Sequence, residues 1–324
     1  MRTILFLAAG TALLAQGPPQ KLPDEDLPSI KVDVSVVNVL VSVRDKKGAL
    51  IPNLAKEDFT VLEDGKSQPI KYFTRETDLP LTIGMLVDVS LSQENLIGIE
   101  RNAASAFFGQ VLRKKDEAFL ISFGPEAELL QDYTSSTRLL NEGLNQLRAT
   151  GGVGGIGPGP VPTIGQPRGT ILYDAIYLAA NEKLRTEVGR KVIVVITDGV
   201  DEGSRLTIDQ AIEAAQKSDA VIYSILYSDP RFRGPFGSFG GGEGYLRRMS
   251  DATGGHVFRV DRSHSLEQVF QELQEEMRTQ YSIGYTPLND AKDGTYRRLD
   301  IKLGNKDLKA QARKGYYAIR PETH

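Results

Sequence analysis

The chain has 324 residues, of which 40% are apolar and 25% charged, the balance of a soluble globular protein with room for about two domains. Its 39 basic and 42 acidic residues give a formal net charge of −3, so no basic excess marks a nucleic-acid surface. With no cysteine and only three histidines, disulfides, thiolate metal sites and cysteine nucleophiles are excluded, and a histidine-rich zinc centre has almost no ligands to draw on.

The N-terminus reads as a targeting segment. Arg2 precedes an uncharged run of apolar and small residues from Ile4 to Ala15, and Gly17, Pro18 and Pro19 then break any helix. This is the layout of a secretory signal peptide over residues 1–15, cleaved after Ala15. The run is too short to span a bilayer, so no stable membrane insertion is expected after cleavage. Residues 16–30, rich in Pro, Asp and Gln, read as a linker.

From Lys31 the pattern is β. Val32, Val34 and Val36 alternate, then Val37, Val39, Val41 and Val43 alternate in the opposite phase, which predicts a strand with a bulge at Val36–Val37. Asp45 to Gly48 reads as a turn. Phe59 and Val61 open another strand, Glu63-Asp64-Gly65-Lys66 is a hairpin signal, and Ile70 and Tyr72 continue the hairpin. At Leu81 the grammar changes. Leu81 to Val87 is a near-continuous apolar run, as in a strand buried on both faces. A helix follows with Leu96, Ile99, Ala103, Ala106 and Phe107 on one face. Further strands are expected at Ala118–Phe123, Val192–Thr197, Ala220–Leu226 and His256–Val260. Helices are expected at Leu139–Leu147, Leu172–Leu184, Ile208–Ala215 and Tyr245–Ala252, with a last one marked by Leu266, Val269, Phe270, Leu273 and Met277. After Gln280 the chain returns to β, with alternation at Tyr281, Ile283 and Tyr285, a hairpin turn at Asn289–Gly294, alternation at Leu299, Ile301 and Leu303, and a last strand toward Tyr317.

Strands alternating with helices over 80–278 predict an α/β fold, a doubly wound and mainly parallel sheet with helices on both faces. The β segments 31–75 and 280–320 are each short for a core of their own. They are expected to combine as the first and second halves of one small β-sandwich, into which the α/β domain is inserted. Two glycine-rich stretches, 151–169 with eight glycines and four prolines and 234–244 with six glycines, read as surface loops.

Most motif matches fail on context. Gly152 to Gly157 fits G-x-G-x-x-G, but Pro158, Pro160 and Pro162 forbid the helix that a dinucleotide fold needs next. Gly65-Lys66-Ser67 lacks the rest of a P-loop. Asn289–Asp300 has Ala291 where a calcium loop needs a ligand. His256 falls in a strand and reads as structural, and a Ser-His-Asp hydrolase finds no supporting motif.

The informative set consists of oxygens. Asp88-Val89-Ser90-Leu91-Ser92 closes the first buried strand, Asp198-Gly199 closes a later one, and Gly169-Thr170 stands just before a helix. In an open α/β sheet, ligands bind outside the carboxyl ends of the strands at the switch point. Taken singly, each of these residues reads as a helix cap. Together, two carboxylates and three hydroxyls make a hard shell suited to Mg²⁺, with Mn²⁺ or Ca²⁺ also compatible.

In these residues the sequence resembles the von Willebrand factor type A (VWFA) domain. That family's metal-ion-dependent adhesion site runs D-x-S-x-S, a distant Thr and a later Asp, matched here by Asp88, Ser90, Ser92, Thr170 and Asp198. Gly169–Ala175, Ile196–Gly199 and Thr253-Gly254-Gly255 are further likenesses. The flanks, with Asp45–Gly48, Phe59–Gly65 and Gly315–Tyr317, resemble a secreted, acidobacterial-type VWFA-like subgroup. The resemblance implies that Ser90, Ser92 and Thr170 bind the metal directly or through water, that Asp88 and Asp198 anchor it directly or through water, and that a partner protein's Asp or Glu fills the remaining position. The expected function is therefore an exported, non-enzymatic, metal-dependent protein-binding module acting in the periplasm, at the cell surface or outside the cell. Two alternatives stand beside it. One is a structural envelope protein whose metal only holds loops. The other is a metal-dependent hydrolase, for which Glu202 is the only nearby candidate base.

Overall fold

In a computed structural model, residues 36–75, 79–149, 169–228 and 242–319 are described; they belong to one compact unit that begins at Ser35. The expected signal segment, the linker and the loop 151–168 lie outside the described residues. β1 (Val37–Arg44) turns its valines at 37, 39, 41 and 43 inward; the expected bulge at Val36–Val37 falls at the limit of what is described. β2 (Phe59–Glu63) and β3 (Lys66–Gln68) form the expected hairpin. Asp64 and Gly65 both take positive φ, 48° and 81°, as a two-residue type I′ turn requires. The hairpin does not continue as expected. Pro69 has no N–H to give a ladder, and β4 (Ile70–Arg75) leaves for a second sheet.

The α/β part begins with β5 (Leu81–Asp88), buried at all eight positions. It continues through α1 (Ile97–Val111), β6 (Glu117–Phe123), β7 (Ala127–Thr134), α2 (Thr137–Leu144) and α3 (Leu172–Tyr177), which runs on as a π-helix to Leu184. β8 (Arg190–Thr197), α4 (Ile208–Lys217), β9 (Ala220–Leu226), α5 (Gly242–Thr253), β10 (Val257–Arg259) and α6 (Leu266–Thr279) complete it. The sheet order is β10-β9-β8-β5-β6-β7, parallel except for β7 at the edge. α1, α2 and α6 cover one face, where the Phe107 and Phe270 rings stack at 4.6 Å; α3, α4 and α5 cover the other. The doubly wound α/β fold is thus as expected. Phe119 closes tightly over Gly84, where a Cβ would stand 2.4 Å from the ring.

Three details of the α/β part differ from the sequence expectation. β7 was not anticipated. The buried face of α1 runs through Ile97, Glu100, Ala103, Ala104, Phe107, Phe108 and Val111, while Ile99 is exposed. Gly242 to Gly244, expected in a loop, form the first turn of α5.

The flanks build two further four-stranded sheets. β11 (Tyr281–Tyr285) lies between β1 and β4, with β13 (Lys309–Gln311) on the far side of β1. β12 (Tyr296–Leu303) pairs with β2 and with β14 (Gly315–Tyr317). Both sheets contribute to one core, in which Val39, Val41 and Val61 from the first flank meet Ile283, Tyr285 and Leu299 from the second. Because β11 and β12 sit in different sheets, the Asn289–Gly294 segment is a crossover rather than the expected hairpin turn.

The sandwich core also holds ions. Glu63 accepts hydrogen bonds from Tyr285 Oη (2.6 Å) and Tyr316 Oη (2.9 Å) and pairs with Arg297 at 3.3 Å, all buried. At the junction with the α/β part, Glu276 of α6 pairs with Arg44 (2.6 Å) and His256 (3.2 Å) and accepts a bond from Ser42 Oγ (2.9 Å). His256 is therefore a structural residue.

Candidate metal site

β5 and β8 are adjacent, yet the chain winds outward from them in opposite directions, so the switch point lies between their carboxyl ends. Val87 is in register with Ile196, which sets Asp88 beside Thr197. Thr197 Oγ1 donates to Asp88 Oδ2 at 2.6 Å, and the Ser90 N–H donates to Asp88 Oδ1 at 2.9 Å. Across the switch point, Ser92 Oγ donates to Asp198 Oδ2 at 2.8 Å, and the Ser90 and Ser92 hydroxyls stand 3.1 Å apart. The Val200 N–H holds Asp198 Oδ1 at 3.1 Å. Four of the five sequence-predicted residues thus form one hydrogen-bonded constellation. Thr170 is tied by its backbone to the loop after Asp198 instead. Its carbonyl accepts the N–H groups of Glu202 (3.1 Å) and Gly203 (3.2 Å), while Ile171 N–H bonds to Gly124 beyond β6 (2.9 Å). Its hydroxyl is not part of the hydrogen-bonded constellation among the described residues.

Close backbone packing shapes the edge. Gly199 has φ +83° and lies against Gly242, where an added Cβ would come within 2.4 Å of the Asp198 carbonyl oxygen. Gly169 has φ +147° and a Cβ there would meet the Glu202 backbone at 3.0 Å. Ser204 Oγ accepts the N–H groups of Tyr173 and Asp174, and Asp174 in return holds the N–H groups of Arg205 and Leu206. The loop after Asp198 is thereby tied to the start of α3.

Asp88 has no exposed surface. Burial pushes its carboxyl up to about 6, against the pull of the Thr197 and Ser90 hydrogen bonds and with a further push from the facing Asp198. Below it, Glu100 is also fully buried, and burial with the Asp88 charge raises it well above the usual carboxylate range. Neither of its carboxyl oxygens has a hydrogen-bond partner among the described residues, so nothing there offsets the cost of ionising it. Among the described residues, neither Asp88 nor Asp198 has a cationic partner, and no cluster of three or more His, Asp or Glu forms a carboxylate cage. What the edge offers is two uncompensated carboxylates linked by hydroxyls. That donor set fits a hard divalent cation and leaves few direct charges on it.

Sequence reasoning missed Glu100 and the Asp88 contact of Thr197. The second was signalled by Ile196-Thr197-Asp198-Gly199; the first was hidden on a helix face drawn through apolar residues. Glu202, the candidate base, is exposed and contributes its backbone rather than its carboxylate.

The sheet order is that of the doubly wound α/β fold that the motifs imply. No protein-family model matches the chain. Among curated proteins, an uncharacterized protein of Borreliella burgdorferi is 24% identical over 232 residues, 68% of this chain and 59% of the relative; the chain thus spans about three fifths of that relative's length. Similar solved structures include the conserved hypothetical protein BatB from Bacteroides thetaiotaomicron (17% identity, 61% of this chain and 97% of that chain, TM-score 0.45). They also include the vWF domain of the type V pili tip protein Mfa5 from Porphyromonas gingivalis (14%, 62% and 96%, TM-score 0.45) and the PilB minor pilin of Streptococcus sanguinis (13%, 66% and 64%, TM-score 0.44). Among the described residues no helix is long and apolar enough to cross a membrane.

Proposed function

We propose that this chain is an exported, divalent-cation-dependent protein-binding module, in which Asp88, Ser90, Ser92, Thr170 and Asp198 hold Mg²⁺, or Mn²⁺ or Ca²⁺ in its place, and a partner's Asp or Glu side chain completes the shell. The observation that carries the reading is the meeting of two carboxylates, Asp88 and Asp198, from neighbouring strands with no positive partner among the described residues. Two like charges a few ångströms apart repel by ~1–4 kcal/mol, depending on the local dielectric. The metal supplies the missing positive charge and, when bound, an electrophilic centre for an outside carboxylate. The chain's own part is to hold that edge rigid. Thr197 and the Ser90 N–H orient Asp88, Ser92 and the Val200 N–H orient Asp198, and the Gly199–Gly242 contact fixes the turn that follows Asp198.

Among the described residues the candidate base Glu202 is exposed and gives only its backbone to the edge, which favours the binding reading over a hydrolase. A structural role is separated by partner capture. The test is a pull-down from the native envelope fraction with Mg²⁺ and with EDTA, using wild type and Thr170→Ala. Capture that needs Mg²⁺ and weakens in Thr170→Ala supports the reading; capture that is equal in EDTA contradicts it. Export is checked by mass spectrometry of the native N-terminus, expected to begin near Gln16.

A further inference from the structure

We propose that a second copy of this chain supplies the acid: Asp290, displayed beside Leu288 between β11 and β12, docks at the metal edge of a neighbouring molecule. The inference rests on the metal-site reading above and names the partner for it. Its starting point is Arg297. This residue is only 2% exposed, yet two of its N–H groups are spent on the carbonyls of Asn289 and Ala291, the residues on either side of Asp290. Asn289 Oδ1 also accepts the Ala291 N–H at 3.3 Å, and the Leu288 N–H is held by Gln68 Oε1 at 3.0 Å. The tip is therefore pinned on both sides of one residue. The carboxylate of that residue is exposed and has no hydrogen-bond or ion-pair partner among the described residues. Pinning a tip in advance lowers the ordering cost of binding, which is how a presented ligand gains affinity.

The apolar surroundings match. Leu288 is 66% exposed, two residues from Asp290. At the receiving edge, Leu91 (48% exposed) stands between Ser90 and Ser92, and Val200 (42% exposed) is two residues from Asp198. An acid with an apolar neighbour thus faces a cation site flanked by apolar side chains, so charge and hydrophobic burial favour the same docked arrangement.

The contact has to join two molecules. The sandwich sits at the amino ends of the sheet strands, where Arg313 pairs with Asp219 just before β9 and Arg190 at the start of β8 donates to Gln280 (2.7 Å). The metal edge lies at the other end of β8, eight residues or about 25 Å away at ~3.3 Å per residue. Such a contact is heterologous, head to tail, and repeats into rings or open chains.

The test is light scattering of the full chain at increasing concentration, with millimolar Mg²⁺ or EDTA, alongside calorimetric titration of Mg²⁺. Wild type is expected to take up Mg²⁺ and to gain mass with concentration only in Mg²⁺. Asp290→Asn should bind Mg²⁺ as wild type does and remain a monomer. Asp88→Asn, which keeps Asp290 but lacks the metal site, should also be a monomer. An equimolar mixture of the two variants should reach twice the monomer mass and stop, since each pair holds one usable site and one usable acid. If wild type binds Mg²⁺ and stays monomeric, or if Asp290→Asn associates as wild type does, this inference is overturned and the metal-site reading stands. If no Mg²⁺ is taken up, both fall.

Discussion

Replacing Asp88 with Asn probes the electrostatic stress stored at the sheet edge. In the metal-free protein, the Asp88 carboxyl is moved from 3.8 to about 6, chiefly by burial. A carboxyl whose folded value is raised contributes stability that is fully present below its unfolded value and lost as pH rises through the folded one. At 1.36 kcal/mol per pH unit, the rise amounts to roughly 3 kcal/mol lost between about pH 4 and pH 7. The amide side chain of Asp88→Asn does not titrate. It still offers one oxygen to the Thr197 hydroxyl or the Ser90 N–H, and forfeiting the other bond costs ~1 kcal/mol at every pH. In EDTA, wild type should therefore lose roughly 3 kcal/mol relative to Asp88→Asn on going from pH 4 to pH 7. By pH 7 the variant should be the more stable protein. The Asp88 charge also helps to push Glu100 up, so the difference reads Asp88 together with its coupling to Glu100. The assay is urea unfolding of both proteins across that range. A difference that does not change with pH would refute the reasoning, because it would mean that Asp88 is not ionising against a cost.

Other parts of the structure make separate predictions. Arg297→Met leaves Glu63 buried with two tyrosine hydroxyls but no counter-charge, and should cost ~3–5 kcal/mol in urea unfolding; a loss under ~1 kcal/mol would show the pair to be dispensable. Gly242→Ala puts a Cβ 2.4 Å from the Asp198 carbonyl oxygen. If the ~1–3 kcal/mol of strain expected from overpacking falls on the Asp198 turn, calorimetry should show Mg²⁺ affinity lowered by roughly five- to 150-fold; unchanged affinity would show that the α5 contact does not set the site. For Glu276, burial raises the carboxyl, but His256 and Arg44 outweigh it and hold it below 4.5. Its ionised form stabilises the fold above pH 4.5 and that contribution is lost as pH falls through the lowered value, so wild type should lose stability in acid more steeply than Glu276→Gln.

How much of this was legible depended on how strongly each residue's environment marks the sequence. β5 and β8 announced themselves because strands buried on both faces run apolar through their middles, from Ile83 to Val87 and from Val192 to Ile196. The proximity of Asp88, Ser90, Ser92 and Asp198 was legible because these residues come from strand ends and short loops, where order along the chain becomes proximity in space. β7 was not seen: it is an edge strand, half exposed, and register shifts break its alternation. Glu100 was missed because a charged residue on an apolar helix face breaks the pattern used to find that face, and the reading slid by a residue or two to Ile99 and Ala106. Arg297 looked like any charged residue in an alternating strand. Its burial follows only from the pairing of β12 with β2, which brings Glu63 from 234 residues away.

The central claim is that the switch-point edge is a divalent-cation site, and the most direct measurement is thermal unfolding of wild type in EDTA and in Mg²⁺. A ligand that binds only the native state stabilises it by about 2.7 kcal/mol at a hundred times its dissociation constant. The account predicts a melting temperature that rises with Mg²⁺ concentration in wild type and does not move in Asp88→Asn. A wild-type melting temperature unchanged at millimolar Mg²⁺ would contradict it and leave Asp88, Ser90, Ser92, Thr170 and Asp198 as caps and loop ties.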